Sequence, residues 1–275
     1  MSKRIVLTEY DCPSPKLNQP IVIAQVSDLH ARPADDILAS LRQVKPDLIA
    51  VTGDTLERYD LEATPHHKMQ RNVLRRVFLF VAYAVNDLNM RLFSGSNKPD
   101  DKNAFAFLEA AVQIAPVVMS LGNHERKLTQ EDEAFLREIG VVLLDNADTA
   151  VTVRGNLLQI GGLSTAADEA WLARFAQKDG YKLLLCHHPE YFDTMLSDKE
   201  IDLTLAGHNH GGQIRIGGHG LLSAGGGLLP KYDKGFYHGR MIVSAGCSNT
   251  VAMPRICNPR ELVLAVCHCC QGAFG

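Results

Sequence analysis

Two histidines on a glycine-rich stretch are the first residues in this chain whose type and spacing could do chemistry. His208 and His210 belong to the stretch GHNHGGQ at 207–213, which follows an apolar run at 201–206. A leucine-rich run that stops at glycine indicates a buried strand, so the stretch is the loop at that strand's C-terminal end. Two imidazoles on such a loop could bind metal ions. A polar turn with two solvated histidines explains this stretch alone equally well.

Four other apolar runs end in residues of the same kind. The runs at 21–26, 47–52, 116–121 and 182–186 are each followed by Asp, Asn or His. Ligands of α/β proteins bind beyond the carboxyl ends of the strands. Packing alone would scatter such residues along the chain instead of placing them at strand ends. The candidates found in this way are Asp28, His30, Asp54, Asn123, His124, Glu125 and His187.

These motifs resemble the signature blocks of the calcineurin-like metallophosphoesterase superfamily. DLH at 28–30, GD at 53–54, GNHE at 122–125, His187 and GHNH at 207–210 stand in the family's order, and the resemblance covers about residues 4–265. SDLH at 27–30, GGQ at 211–213 and PRICNPREL at 254–262 are similar to the bacterial branch of YkuE and YaeI phosphodiesterases. The resemblance implies an α/β (α+β) fold, a four-layer α/β/β/α sandwich with two mixed β-sheets.

The resemblance also implies the ligands of two metal ions. Carboxylate, imidazole and amide oxygen together suit Mn, Fe or Zn and disfavour a calcium cage. One shared carboxylate holds two cations ~3.5–4 Å apart and offsets their repulsion. In the family's pattern Asp28, His30 and His210 bind the first ion, Asn123, His187 and His208 bind the second, and Asp54 bridges both.

The expected activity is hydrolysis of a phosphodiester or pyrophosphate bond by in-line attack of a hydroxide that bridges the two ions. In the family's pattern His124 faces the substrate and assists the leaving oxygen, and Glu125 orients its ring. The branch favours a phosphodiester or a lipid-linked pyrophosphate as substrate. Two alternatives stay open, a phosphomonoesterase on the same centre and a non-catalytic metal-binding scaffold.

Composition is consistent with one domain over residues 1–275. The chain has 46% hydrophobic residues and a net charge of -3, which gives no reason to expect a nucleic-acid partner. The first apolar run, at 5–7, is too short for a signal peptide or a spanning helix. We therefore expect a cytoplasmic enzyme. The sequence does not predict the oligomeric state.

Residues 65–95 predict one long amphipathic helix inserted in the domain. Its apolar half is wide, and Lys68, Arg71, Arg75 and Arg76 make its first half basic. One interpretation is a helix packed on the domain. The other is a lid or a peripheral membrane contact at an anionic surface.

Seven cysteines, an odd number without a framework spacing, suit a reducing compartment. The Cys-rich tail at 267–275 contains Cys267, His268, Cys269 and Cys270. These residues could form a soft metal site, but no second ligand pair stands at a recognisable spacing.

Three further expectations concern the frame around the site. The runs at 141–144, 150–154 and 157–161 predict successive antiparallel strands, and the glycine-rich residues 217–227 predict a mobile rim. The runs at 241–244 and 261–266 are expected to close a second sheet. His188, next to a candidate ligand, is interpreted as a supporting or rim residue.

Overall fold

Two six-stranded sheets form the centre of the protein. The computed structural model describes residues 5–58, 100–126, 128–223, 227–249 and 254–269. The helix predicted at 65–95 and residues 270–275 of the tail lie outside these ranges. Within them, no helix has both the length and the apolar character needed to cross a membrane.

The first sheet is mixed, with its parallel strands at one side. Across the sheet the strands are β1 (Val6–Pro13), β16 (Glu261–His268), β2 (Ile21–Val26), β3 (Leu48–Thr52), β4 (Val117–Ser120) and β5 (Val142–Leu144). Strands β2 to β5 run parallel to one another. Strand β16 runs antiparallel to β2 and parallel to β1.

The second sheet is also mixed, with four parallel strands between two antiparallel edges. Across the sheet the strands are β14 (Gly235–Tyr237), β15 (Met241–Val243), β9 (Leu203–Ala206), β8 (Tyr181–Cys186), β7 (Asn156–Leu163) and β6 (Ala147–Val153). Strands β15, β9, β8 and β7 are parallel. Strands β14 and β6 pair antiparallel with their neighbours.

Alternate residues of the central strands pack into different layers, because successive side chains of a strand point to opposite faces. On β2, Ile23 lies in the apolar cluster between the two sheets, whereas Ala24 lies in the cluster beneath the helices of the first sheet. On β8, Leu183 joins the cluster between the sheets and Leu184 joins the cluster on the outer face of the second sheet. Three apolar clusters therefore separate four layers, as predicted.

In the described ranges, four α-helices lie on the outer faces of the sheets. Helices α1 (Asp35–Val44), α2 (Asp101–Ala111) and α3 (Gln130–Glu138) contribute to the cluster on the first sheet, and α4 (Glu169–Ala176) to the cluster on the second. Local sequence explains where several of them begin. The side chain of Asp168 accepts hydrogen bonds from two backbone N–H groups at the start of α4, and Thr129 forms a capping box with Asp132 at the start of α3.

The prediction that residues 261–266 close the second sheet is wrong. Strand β16 inserts into the first sheet between β1 and β2, and it extends to His268. A short apolar run shows that a strand is buried but does not show which sheet takes it. The strand assignment also means that Cys267 and His268, the first two residues of the predicted tail, are part of the sheet.

One local prediction needs correction. The runs at 141–161 do not form one antiparallel series, because β5 pairs parallel with β4 in the first sheet while β6 and β7 form an antiparallel pair in the second. The glycine-rich residues 217–223 and 227 contribute to two short hairpins, and the mobility of the rim stays a prediction. The first pairs β10 (Arg215–Ile216) with β11 (His219–Gly220), and the second pairs β12 (Leu222–Ser223) with β13 (Gly227–Leu228).

Candidate metal centre

Loops from both sheets converge at one edge of the sandwich. Asp28 and His30 follow β2, Asp54 follows β3, and Asn123 follows β4, all in the first sheet. From the second sheet, His187 follows β8, and His208 and His210 follow β9. Because these strands are parallel within each sheet, their carboxyl ends bring the predicted ligands together.

One group of ligand atoms matches the set expected for the first ion. Side-chain atoms of Asp28, His30 and His210 lie within 4.8 Å of one another. His210 Nε2 is 3.5 Å from Asp28 Oδ1, and the rings of His30 and His210 stack with centroids 5.2 Å apart. All three residues are buried.

A second group contains residues expected for the other ion. Atoms of Asp54, His187 and His208 also lie within 4.8 Å of one another. His187 Nε2 is 3.1 Å from Asp54 Oδ2, and His208 Nδ1 is 3.2 Å from His187 Nε2. Asn123 lies beside this group, because the backbone N–H of His124, the next residue, donates to Asp54 Oδ1 over 3.0 Å.

Asp54 lies between the two groups. Its Oδ2 is 3.1 Å from His187 Nε2, 3.7 Å from His30 Nε2 and 3.8 Å from His124 Nε2. One carboxylate oxygen is therefore close to imidazoles of both groups. This is the position that a shared ligand of two cations needs.

Two buried polar atoms lack a hydrogen-bond partner, and a metal ion could be the partner of each. Within the part of the chain that the structure describes, His30 Nε2 and Asn123 Oδ1 are buried and have no hydrogen-bond partner. A buried polar group without a partner costs about 1–3 kcal/mol. Imidazole nitrogen and amide oxygen both bind divalent ions, so the donor set fits the two cations that the sequence predicts.

The backbone at these positions is unusual. Asp28, His30, Asp54, His208 and His210 have φ between +46° and +73°. Side chains other than glycine rarely adopt this left-handed region, and such strain is concentrated at functional sites. Five of the seven predicted ligands thus have backbones that are fixed at an energetic cost by the surrounding structure.

Glycines let the ligand loops approach one another. A Cβ added to Gly53, which has φ +85°, would lie 2.6 Å from the backbone N of Gly122 and 2.9 Å from His187 Nδ1. A Cβ on Gly207 would overlap Ser27 Oγ. These two positions explain why glycine precedes Asp54 and His208 in the motifs.

The carboxylates of the centre are held in the charged form. Burial alone would raise the pKa of Asp54, but His187 and His124 outweigh it and hold that pKa well below its usual value. Burial is likewise outweighed at Asp28, whose pKa is lowered by His210 and His187. Two buried carboxylates therefore stay available as metal ligands.

The imidazoles respond differently to their surroundings. Burial, with further lowering by neighbouring imidazoles, brings the pKa of His208 and of His210 to about 3, so both are neutral. Burial would lower the pKa of His187 too, but Asp54 raises it to about 10. A metal ligand must be deprotonated, so an ion at His187 has to displace a proton.

The ring of His124 contacts the carboxylate of Glu57, a residue that could not be singled out by the sequence motifs. Its Nδ1 is 2.8 Å from Glu57 Oε2, and Glu57 Oε1 is 2.7 Å from Nδ1 of His30. Burial would lower the pKa of His124, but Asp54 and the bond to Glu57 raise it to about 9. One signal was available, since Glu57 follows Asp54 by three residues at the same strand end.

The prediction that Glu125 orients the ring of His124 is wrong. The Glu125 carboxylate accepts hydrogen bonds from four backbone N–H groups in the loops after β3 and β4, those of Asp54, Thr55, Leu56 and Gly122. Burial and the charge of Asp54 raise the pKa of Glu125. Glu125 therefore shapes the two loops, and Glu57 holds the His124 ring.

The motif at 254–262 fixes the loop of His210. Asn258 Nδ2 donates to the carbonyl oxygen of His210 over 2.7 Å and to that of Gln213 over 3.3 Å. Arg255 Nη2 lies 3.4 Å from His210 Nδ1. Glu261 Oε2 accepts from the backbone N–H of Ala245 over 2.8 Å, in the loop that follows β15 of the second sheet.

His188 and the cysteine tail lie outside the two ligand groups. His188 Nε2 is 3.0 Å from Thr165 Oγ1 and its Nδ1 is 3.1 Å from Glu190 Oε1, consistent with a supporting residue. Cys267 is buried beside Tyr181, whereas His268 on the opposite face of β16 contacts Asp11. Neighbours on a strand that point to opposite faces cannot share one ion, so the described part of the tail offers no metal site.

Comparisons with known proteins agree with this geometry. The family model described as calcineurin-like phosphoesterase matches residues 21–212, which include all five of the ligand-bearing strand ends described above. The uncharacterized protein YpbG of Bacillus subtilis is 26% identical over 212 residues, which make up 75% of this chain and 67% of YpbG.

Two further relatives carry names that state an activity or a family. Phosphodiesterase YaeI of Escherichia coli is 27% identical over 114 residues, 40% of this chain and 42% of YaeI. The uncharacterized metallophosphoesterase YkoQ of Bacillus subtilis is 29% identical over 203 residues, 70% of this chain and 62% of YkoQ. The chain thus spans between 42% and 67% of the length of these three relatives.

Proposed function

Because the chain belongs to the calcineurin-like phosphoesterase family, a class of metal-dependent enzymes that hydrolyse phosphoester bonds, we propose that it cleaves a phosphodiester or pyrophosphate bond at a centre of two divalent ions. The observation that carries this proposal is the position of Asp54 Oδ2, 3.1 Å from His187 Nε2 and 3.7 Å from His30 Nε2. The proposed ligands are Asp28, His30, Asp54, Asn123, His187, His208 and His210.

Mn, Fe or Zn suits this mixture of carboxylate, imidazole and amide ligands. Two such ions would neutralise charge on a phosphoryl group and lower the pKa of a water molecule. The chain's own residues orient these ligands. Glu57 holds the Nδ1 side of His30, and the backbone carbonyl of Thr52 accepts from Nδ1 of His187 over 2.8 Å, so that each Nε2 faces the centre.

His124 is the proposed proton donor to the leaving oxygen. Its side chain is 25% exposed, so a bound substrate can reach it, while Glu57 fixes the opposite side of the ring. The carboxylates of Asp54 and Glu57 favour the protonated form. A positioned acid of this kind contributes ~10²–10⁴-fold to a rate.

The proposed substrate is a phosphodiester, which is the class in the name of YaeI, or a lipid-linked pyrophosphate. The peripheral membrane contact through residues 65–95 and the single-domain organisation stay predictions.

A substrate panel with Mn-supplied protein tests the proposed substrate class. We expect bis(p-nitrophenyl) phosphate and a pyrophosphate diester to be cleaved faster than p-nitrophenyl phosphate. Cleavage of the monoester alone would instead identify a phosphomonoesterase.

The variant Asp54→Ala tests the dinuclear centre. Removing the shared carboxylate should abolish metal retention and turnover together, as measured by elemental analysis and the same panel. Asp198→Ala, which changes an exposed carboxylate remote from the ligand loops, is the control and should change neither. Retention of both ions by Asp54→Ala would refute the bridging role. Two bound ions in the unaltered protein without turnover of any panel member would favour the non-catalytic scaffold.

A further inference from the structure

The imidazoles of the proposed metal centre differ in what contacts their outer nitrogen. Nδ1 of His30 lies 2.7 Å from Glu57 Oε1, and Nδ1 of His187 lies 2.8 Å from the carbonyl oxygen of Thr52. Each of these oxygens accepts the ring N–H, which leaves the lone pair of Nε2 directed at the centre. Acceptors of this kind fix the tautomer and raise the basicity of a ligating imidazole.

Nδ1 of His210 faces a hydrogen-bond donor, whereas Nδ1 of His30 and of His187 each face an acceptor. Its Nδ1 faces Arg255 Nη2 at 3.4 Å, and its Nε2 faces Asp28 Oδ1 at 3.5 Å. A guanidinium has five N–H groups and no acceptor. When Nε2 of a neutral His210 gives its lone pair to an ion, the ring proton must be on Nδ1, where it points at an N–H of Arg255. The contact therefore opposes the tautomer that binds metal.

Arg255 is held in this place by the main chain. Its Nη2 donates to the carbonyl oxygen of Ser248 over 2.6 Å and its Nη1 to that of Pro259 over 3.4 Å. Within the described ranges its side chain forms no salt bridge with a carboxylate. The positive charge of Arg255 lies near the carboxylate of Asp28, a ligand of the first ion, and there it repels a divalent cation.

We infer that Arg255 is a positioning residue that lowers the affinity of the first site, formed by Asp28, His30 and His210, for its ion. The inference rests on the proposed dinuclear centre. Its consequence is that occupancy of this site follows the concentration of free metal, because the ion is held less tightly than its ligands would hold it without Arg255. The C-terminal motif that contains Arg255 would then regulate the metal content of the enzyme.

Stepwise Mn²⁺ affinities, measured by competition with a chelator, test this inference. The variant Asp28→Asn, which removes the negative charge of a ligand that belongs to the first group alone, identifies which of the two constants belongs to that site. Arg255→Met removes the charge and the donor and should tighten the first constant by about 10-fold, the lower end of the effect of such partners on metal affinity. Arg255→Lys keeps the charge and should leave the first constant close to that of the unaltered protein.

Arg240→Met is the matched control. Arg240 also donates to backbone carbonyls, those of Lys199 and Ser197 over 2.6 and 2.7 Å, but it contacts no ligand loop. Its loss should leave both constants unchanged. Arg255→Gln serves as a second variant if Arg255→Met does not fold, as judged by thermal unfolding of the metal-free protein, because glutamine removes the charge and keeps a donor for Ser248.

The outcomes separate the inference from the proposed function. If the unaltered protein binds no ion, the dinuclear centre itself is wrong. If it binds two ions and both Arg255→Met and Arg255→Gln leave the first constant unchanged or weaken it, the centre stands and the role of Arg255 is refuted. Tightening of the first constant in these variants, without tightening in Arg240→Met, supports the role.

Discussion

At the scale of single residues, the ring of His124 is fixed by a hydrogen bond and is still exposed enough for a substrate to contact it. Glu57 contacts its Nδ1 over 2.8 Å, and its backbone N–H donates to Asp54 Oδ1 over 3.0 Å. Its Nε2 lies 3.8 Å from Asp54 Oδ2, so it faces the centre without belonging to the predicted ligands. Loss of this ring should therefore affect proton transfer and not metal binding.

We expect His124→Ala to retain both ions and to lose ~10²–10⁴-fold in rate. The loss should be smaller for a p-nitrophenol ester than for an alkyl ester, because a good leaving group needs less protonation. Elemental analysis and turnover of the two esters check this. His268→Ala, at the opposite end of β16 from the ligand loops, is the control. An equal loss on both esters would show that His124 is not the acid.

Glu57 belongs to the same scale, since one carboxylate contacts two imidazoles with different roles. The substitution Glu57→Gln leaves one acceptor and one donor, so only one of His30 and His124 keeps its partner. If His30 loses its acceptor, we expect the affinity for the first ion to fall 10–100-fold, the usual effect of losing such a partner. If His124 loses it, we expect the rate to fall with both affinities kept. Chelator competition and turnover measure the two effects.

Asp11→Asn is the matched control for Glu57→Gln. Asp11 Oδ1 contacts His268 Nε2 over 2.6 Å, so the pair has the same chemistry. It lies at the end of β16 that is remote from the ligand loops, because β16 runs antiparallel to β2. Unchanged metal affinity and rate in Glu57→Gln would show that its two contacts have no part in the site.

The ligands could be predicted from the sequence more readily than the residues that hold them. Asp28, Asp54 and His187 each stand within two residues of the end of an apolar run, and the end of such a run marks the end of a strand. Glu57 and Arg255 contact the imidazoles of His30, His124 and His210 because of the conformations of the loops on which they lie. Because those conformations depend on the packing of both sheets, neither contact could be derived from residue spacing.

At the scale of elements, the loops after β3 and β4 must approach closely. Gly53→Ala would place a Cβ 2.6 Å from the backbone N of Gly122 and 2.9 Å from His187 Nδ1. We expect this variant to lose metal retention and to unfold at a lower temperature, because backbone atoms of Gly122 cannot move aside as a flexible side chain would. Elemental analysis and thermal unfolding measure the effect.

Gly155→Ala is the matched control for this prediction. Gly155 has φ +77°, close to the +85° of Gly53, but a Cβ there meets no atom within 4 Å. Both variants incur the cost of a left-handed residue, about 1–2 kcal/mol, and only Gly53→Ala adds the clash. Similar losses in the two variants would show that close approach of the loops is not required.

Element types were easier to predict than element partners. The strands at 21–26 and 48–52 were found from their apolar runs, and the four layers followed from the family resemblance. Strand β16 was placed in the wrong sheet, because its buried residues suit either one. Its position beside β2 depends on pairing across more than two hundred residues, as between Val263 and Gln25, and no local pattern encodes that pairing.

At the scale of the whole molecule, the proposed centre joins the two sheets at one edge of the sandwich. Asp28, His30 and Asp54 come from the first sheet, and His187 and His210 from the second. An ion that binds the folded protein alone adds stability by mass action, about 2.7 kcal/mol at a free concentration 100 times its dissociation constant. Removing the ions should therefore weaken the contact between the two layers of strands.

The stabilisation by metal should depend on pH through His187. In the metal-free protein burial would lower the pKa of His187, but Asp54 raises it to about 10. A raised pKa stabilises the metal-free fold fully below the ordinary histidine value, and this contribution is lost as the pH rises towards about 10. An ion at His187 must displace the same proton, so its affinity increases with pH.

Both effects have the same sign, so the difference in unfolding temperature between Mn-supplied and chelator-treated protein should be larger at about pH 8 than at about pH 6. Thermal unfolding at the two pH values, with and without chelator, measures it. In Asp54→Ala the difference should disappear at both, because neither the ions nor the raised pKa of His187 remains. A difference that stays constant or shrinks as the pH rises would mean that metal binding at this centre does not displace the proton of His187.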